Sequence, residues 1–220
     1  MPKDTFLNLS EKKRNLIEDV ALNEFAEHGF DNASINRIVE KADIAKGSFY
    51  QYFEDKGDLY KHILTRIGEE KLAYITPALQ NPADLDFFSL LEEIYRSGLA
   101  FAKDHPKKGR VAFEIYKNQT NPLFKEIYQE AMSSGKLFYE SLLDQAISKG
   151  TVDPKLEKGF IIHMLIHLQV ASFDYYFDSI GTGEMESGIW ANDVMPTVEL
   201  MIKFIKNGIQ LPKEGVSSHD

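Results

Sequence analysis

Cysteine is absent from all 220 residues. That excludes a disulfide framework, a thiolate metal centre and a cysteine nucleophile. Positive charge is scarce: 25 Lys/Arg stand against 34 Asp/Glu, a formal net charge of −9. A globally basic nucleic-acid binder is thus excluded. Long apolar runs are missing too. The longest stretch, GFIIHMLIHLQVA, is broken by His163, His167 and Gln169 and is too short to span a bilayer. The first residues, MPKDTFLNLSEKKRN, carry no apolar signal segment. No paired carboxylates, nucleophile–base set or phosphate-binding loop stands out, so an enzyme is not expected. No alternating β-branched runs occur, which removes strands from the expectation. What remains is a soluble, cytoplasmic, all-α chain with no metal and no cofactor. Its hydrophobic content, 43%, is enough for a core.

Helical periodicity runs throughout. Ser10 is a plausible N-cap for a first helix with an apolar stripe at Leu16, Ile17, Val20, Ala21 and Phe25. Gly29 follows as a left-handed stop, with Phe30 as its hydrophobic partner. Ser34 opens a short second helix whose inner face is Ile35, Ile38, Val39 and Ala42, and Asp43 sits at the turn. A third helix spans about Ala45 to Phe53. Asp55 caps a fourth, from Lys56 to about Ile75 ahead of Pro77. Later helices are expected near 84–103, 108–117, 123–149, 155–180 and 191–207, about nine helices in all. The GTGEMESG loop and a frayed LPKEGVSSHD tail complete the chain.

The stretch KADIAKGSFYQYFEDK carries the chemistry. At 100° per residue, Ala45, Phe49 and Phe53 fall within about 80° and face inward. Gly47 and Gln51 lie opposite, flanked by Ser48 and Tyr50. Gly47 would let the helix backbone approach a duplex closely. Gln51 could pair with adenine in the major groove, and tyrosine hydroxyls could meet phosphates. Lys46 and Lys56 suit phosphate contacts. The same spacing also describes an ordinary amphipathic helix with tyrosines on its flank. Residues 1–62 hold nine Lys/Arg and twelve Asp/Glu, a net −3, so any phosphate contact depends on local placement of Lys12, Lys13, Arg14, Arg37, Lys46 and Lys56.

Residues Ser34 to Tyr60 resemble the helix-turn-helix of the tetracycline-repressor (TetR) family. The matching residues are Ser34, Ile38, Ala42, Ile44, Lys46, Gly47, Phe49, Tyr50, Tyr52, Phe53, Lys56 and Leu59. FAEHGFDNAS resembles the family's join between helices one and two. Asp43 stands where the family has a turn glycine, Ala45 where it has a capping Ser or Thr, and Gly57 where glutamate is usual. The resemblance covers about residues 10–62 and implies an N-terminal helix-turn-helix three-helix domain, residues 1–55. A C-terminal helical ligand-binding and dimerisation domain, 56–220, would follow, with helix 56–76 joining the two. It implies DNA contacts from Ser34, Arg37, Lys46, Gly47, Ser48, Tyr50, Gln51, Tyr52 and Lys56. The expected function is a sequence-specific regulator, a homodimeric repressor on an inverted-repeat operator, released by a small-molecule effector of apolar or aromatic character. A protein partner in place of the effector, or activation in place of repression, stays open.

For the dimer surface the candidates are Phe160, Met164, Leu168, Val198, Met201 and Ile205, which could equally complete a monomer core. For the effector pocket they are Tyr116, Tyr128, His163 and His167. The i, i+4 spacing of the two histidines could clamp a metal, but no third ligand is evident. Such a pair also serves as hydrogen-bonding pocket or interface groups.

Overall fold

The structure, a computed structural model, describes residues 2–80, 85–117, 120–180 and 194–210. It shows ten α-helices and no strand among the described residues: α1 (Asp4–Leu7), α2 (Glu11–Asn32), α3 (Ile35–Lys41), α4 (Lys46–Tyr52), α5 (Lys56–Gln80), α6 (Phe87–Asp104), α7 (Pro106–Lys117), α8 (Pro122–Ser148), α9 (Lys158–Ile180) and α10 (Met195–Ile209). None of these is long and apolar enough to cross a membrane. The chain forms two compact units, Met1–Ala73 with Phe101–Tyr128, and Tyr74–Ala100 with Gln129–Asp220.

In the first unit, the expected stops and caps set the path. Gly29 has φ +69°, and the N–H of Ala33 bonds to its carbonyl at 3.0 Å. A side chain there would be strained, and its Cβ would lie 3.0 Å from Glu114 Oε1. Glu114 accepts the N–H of Phe30 at 2.9 Å, which binds α7 to the end of α2. Asp43 takes the left-handed conformation, φ +49°, so an aspartate serves where the family has glycine. Asp55 accepts the N–H of Asp58 at 2.8 Å, as its capping role requires, and Asp58 accepts that of Glu54 at 3.1 Å. Ser10 and Ser34 hold the N-cap positions of α2 and α3, yet neither side chain makes a cap bond.

Two aromatic clusters fill this unit. Phe25, Phe30, Tyr60 and Phe124 pack mostly edge-on, with Phe25–Tyr60 centroids 4.9 Å apart. Burial lifts the Tyr60 hydroxyl far above its ordinary pKa, and the carboxylate and hydrogen bond of Glu114 add to the effect. It stays a neutral donor to the Val111 carbonyl at 2.8 Å. Phe6, Phe49, Phe53 and His62 form the second cluster, in which Phe6 and Phe53 lie 4.8 Å apart.

The second unit packs α9 along α10. The Tyr95 and Tyr139 hydroxyls share a hydrogen bond at 3.2 Å, and burial raises the pKa of both. After α8, Val152 pairs with Gln210 in an isolated bridge, and the N–H of Asp153 meets the Ile209 carbonyl at 3.0 Å.

Several boundaries differ from the sequence reading; α6 and α9 begin three residues later than expected, at Phe87 and Lys158, and the last helix runs two residues longer, to Ile209. The four-residue α1 was not expected, because a single helical turn shows no periodicity. α5 runs past Pro77 to Gln80; an interior proline forfeits one backbone bond, and the residues after it, Ala78 to Gln80, are sound helix formers. α7 begins two residues early, at Pro106, where a first-turn proline needs no N–H. The expected start of the last helix, the GTGEMESG loop and the tail lie outside the described residues.

Candidate nucleic-acid interface

The α3–turn–α4 segment is held from below. Glu24 of α2 is fully buried and accepts the Ser34 N–H at 2.9 Å and Arg37 Nε at 2.7 Å. Burial alone would raise the pKa of this carboxyl. The hydrogen bonds from Arg37 and Ser34 and the positive charges of Arg37 and His28 outweigh it and hold the value below the ordinary range. Lys13 Nζ closes the turn by donating to the carbonyls of Ala42 at 3.0 Å and Asp43 at 2.9 Å.

α4 buries Phe49 and Phe53 as its period expects, but Ala45, expected on the same inward face, is exposed at the N-cap position. Phe49 and Phe53 are fully buried, and Lys46, Gly47, Tyr50 and Gln51 are exposed, with Tyr50 at 45%. Ser48 and Tyr52 are half-buried. A Cβ added at Gly47 would meet nothing within 4 Å, so nothing in the chain itself requires glycine there. The exposed Tyr50 ring rests edge-on against Phe49 at 5.2 Å.

Not every cation named from the sequence is equally disposed. Lys46 has no ion-pair or hydrogen-bond partner among the described residues. Arg37 spends Nε and Nη2 on Glu24 and also donates to the Asn32 carbonyl at 2.8 Å. Lys56 donates to the carbonyls of Asp31 at 3.1 Å and Ala33 at 3.0 Å and sits 4.7 Å above the Phe30 ring. Both clamp the α2–α3 junction. Spacing cannot reveal this, because their acceptors are backbone carbonyls and a carboxylate one helix away. Sequence reasoning also missed Glu24 and the N-terminal arm. Lys3 N–H reaches the Tyr52 carbonyl at 2.9 Å, Lys3 Nζ the Tyr50 carbonyl at 3.0 Å, and Thr5 Oγ1 the Gln51 carbonyl. The only sequence signal of the arm is Phe6, a lone aromatic in a polar stretch.

In the second unit, half of the proposed dimer set lies in the monomer core, the alternative reading of those residues. Val198, Met201 and Ile205 are buried within the chain, at 2%, 6% and 4% exposure, where α10 meets α9. Met164 and Leu168 are half-buried, and Phe160 is exposed. α10 is apolar on both sides, and its outward residues are Leu200 and Phe204, each about two-thirds exposed. Of the four effector-pocket candidates, two lie together in this unit. Tyr128 belongs to the first unit, and the Tyr116 side chain lies outside what is described. His163 and His167 are exposed, with ring centroids 4.2 Å apart. They line an open hollow of about 280 Å³ between α8 and α9 with Lys136 and Ile162.

A buried-core helix-turn-helix with a polar, tyrosine-bearing outer helix, on an all-helical chain, defines a helix-turn-helix protein. Residues 17–63 match the family of bacterial regulatory proteins of the tetR type. A crystal structure of a TetR family transcriptional regulator from Chloroflexus aurantiacus is similar over 96% of this chain and 99% of that one, with 27% identity and a TM-score of 0.65. Residues 17–63 thus carry a helix-turn-helix segment of the tetR type. It is 37% identical over 57 residues to an HTH-type transcriptional regulator of Staphylococcus aureus strain USA300; that match covers 26% of this chain and 31% of the relative, so less than a third of the relative's length is spanned. In fold alone it is also similar to a TetR-family regulator from Syntrophomonas wolfei, with a TM-score of 0.67 and 20% identity, over 90% of this chain and 94% of that one.

Proposed function

We propose that the chain is a sequence-specific DNA-binding transcriptional regulator, acting in the cytoplasm as a homodimeric repressor on an inverted repeat and released by a small apolar or aromatic effector. Residues 1–55 form the DNA-reading domain, and 56–220 form the dimerisation and effector body. The observation that carries the reading is the outer face of α4. Gly47, Tyr50 and Gln51 are exposed side by side with Lys46, and nothing in the chain requires glycine at 47. Lys46 is the cation disposed toward phosphate, Gln51 the group suited to a base edge, and Tyr50 suits a phosphate or a thymine methyl. Ser48 and Tyr52 flank them. Arg37 and Lys56 act first as clamps.

One such helix reads too few base pairs for useful specificity, and a two-fold pair of copies doubles them with half-sites roughly 34–36 Å apart. Phe160, Leu200 and Phe204 support the second copy, because α9 and α10 leave them in solvent. An effector acts only by binding one arrangement of the dimer more tightly than another.

The test is selection of duplexes from a random-sequence library by the full chain, followed by anisotropy titration with wild type and Tyr50→Ala. An enriched inverted repeat, bound by wild type and weakened at least tenfold in the variant, is the expected result. A folded dimer that enriches nothing at low salt would overturn the reading.

A further inference from the structure

α4 has only seven residues, far below the ~12–15 at which an isolated helix becomes even marginal in water. Its last four carbonyls have no partner within the helix and must be satisfied elsewhere. All four are accounted for. The Phe49 carbonyl accepts the N–H of Phe53 at 2.9 Å. The other three go to the N-terminal arm: Tyr50 to Lys3 Nζ, Gln51 to Thr5 Oγ1 and Tyr52 to the Lys3 N–H. The Lys3 ammonium also brings positive charge to the negative end of α4, and it pairs with Glu54 at 2.9 Å.

The arm is itself anchored on both sides. Phe6 is fully buried, with ring centroids 4.8 Å from Phe53, 5.3 Å from His62 and 6.0 Å from Tyr52. Arg14 Nη1 of α2 holds the arm's exit by donating to the carbonyls of Leu7 at 2.6 Å and Leu9 at 2.8 Å. The family match begins at residue 17, so this arm lies wholly outside it.

We infer that Lys3, Thr5 and Phe6 are positioning residues that clasp the C-terminal end of α4 and keep Tyr50 and Gln51 in a reading orientation. The inference rests on the reading of α4 as the DNA-contacting helix. The three side chains face inward or onto α4 carbonyls, so they act through α4. Losing a clasp bond lets the last turn fray, and affinity falls by the cost of re-forming it.

The experiment uses the full chain with Thr5→Val, Lys3→Met and the double substitution, and with Thr5→Ser as the conservative control. Amide hydrogen exchange at Tyr50, Gln51 and Tyr52 is read against amides in the middle of α2. Affinity is read on the duplex recovered by wild-type selection. Each single loss is expected to speed α4 exchange by about 2- to 12-fold, the worth of one hydrogen bond, with α2 unchanged. Affinity should fall by a similar factor, and Thr5→Ser should restore both. Unchanged α4 exchange in the double variant overturns the clasp. Faster exchange with unchanged affinity overturns the positioning role. If Lys3→Met weakens binding with no change in exchange and lowers the salt slope by about 0.9, Lys3 is a phosphate contact and the inference fails. Should wild type select no duplex, the functional reading fails first, and exchange alone still decides whether the arm holds α4.

Discussion

The two ends of the chain treat apolar surface in opposite ways. At the front, Phe6, Phe25, Phe49, Phe53 and Phe124 are sealed within the unit, and the nearby cations Lys13, Arg14, Arg37 and Lys56 are tied to backbone carbonyls or to Glu24. At the rear, α9 and α10 bury Ile161, Leu165, Val198 and Ile205 against each other and still leave Phe160, Tyr175, Leu200 and Phe204 in water. The front is complete as one copy and exposes mainly polar groups that can be read. The rear leaves large apolar side chains uncovered in a single copy. Isolated exposed apolar residues are ordinary, but Leu200 and Phe204, at i, i+4 on one helix, share a face.

The comparison breaks most visibly through paired truncations. Phe25→Ala should destabilise the chain by about 3–5 kcal/mol, since the side chain is 1% exposed and packs on Tyr60 and Phe30. Phe204→Ala, on a residue 67% exposed, should change the unfolding of a single copy by less than about 0.5 kcal/mol and shift sedimentation toward the monomer. Equal losses in urea melts of the two variants would erase the distinction.

Glu24 comes next. Its folded pKa lies below its unfolded value near 4.5, so its contribution is present above that value and lost as pH falls through the folded pKa. Glu24→Gln should cost about 1–3 kcal/mol at neutral pH and flatten the acid limb of stability below pH 4.5. A variant that keeps the wild-type acid limb would remove Glu24 as its cause.

Gly47→Ala should separate stability from reading. It should stabilise the chain by less than the ~1 kcal/mol of a helix interior, because Gly47 lies in the first turn and the added methyl meets nothing. Binding should weaken, because the methyl stands where a duplex would approach. A gain in both stability and affinity would show that α4 does not come close to DNA through that face.

The finest test is Lys56→Met. Because Lys56 serves the Asp31 and Ala33 carbonyls, the substitution should lower stability by about 1 kcal/mol. The salt slope of binding should fall by clearly less than the roughly 0.9 of one full phosphate contact. A full 0.9 with no stability loss would return Lys56 to the set of direct contacts.

Much of this was legible from residue order, because the governing rules are local. Gly29 and Asp43 were placed by the backbone conformations that they tolerate, Asp55 by its capping chemistry, and Phe49 and Phe53 by helical period. The faces of α4 follow from the same period. α10 shows where such reasoning stops. Both of its sides are apolar, and period alone cannot say which one faces α9, so the choice between dimer surface and monomer core for Val198, Met201 and Ile205 stayed open until their burial was seen.

Residue order by itself determined the helical class, the turn that carries α4 and the outward set Gly47, Tyr50 and Gln51, though not the half-burial of Ser48 that it placed beside them, since each depends on neighbours within a few positions. Tertiary structure alone decided which cations are engaged in clamps, that α10 turns Leu200 and Phe204 outward, and that a four-residue arm closes the end of α4. Those outcomes depend on carbonyls and carboxylates delivered from elsewhere: Lys3 finds Tyr50 across 47 residues, and Arg37 finds Glu24 across 13. A sequence lists its donors, but only the fold brings their acceptors within reach.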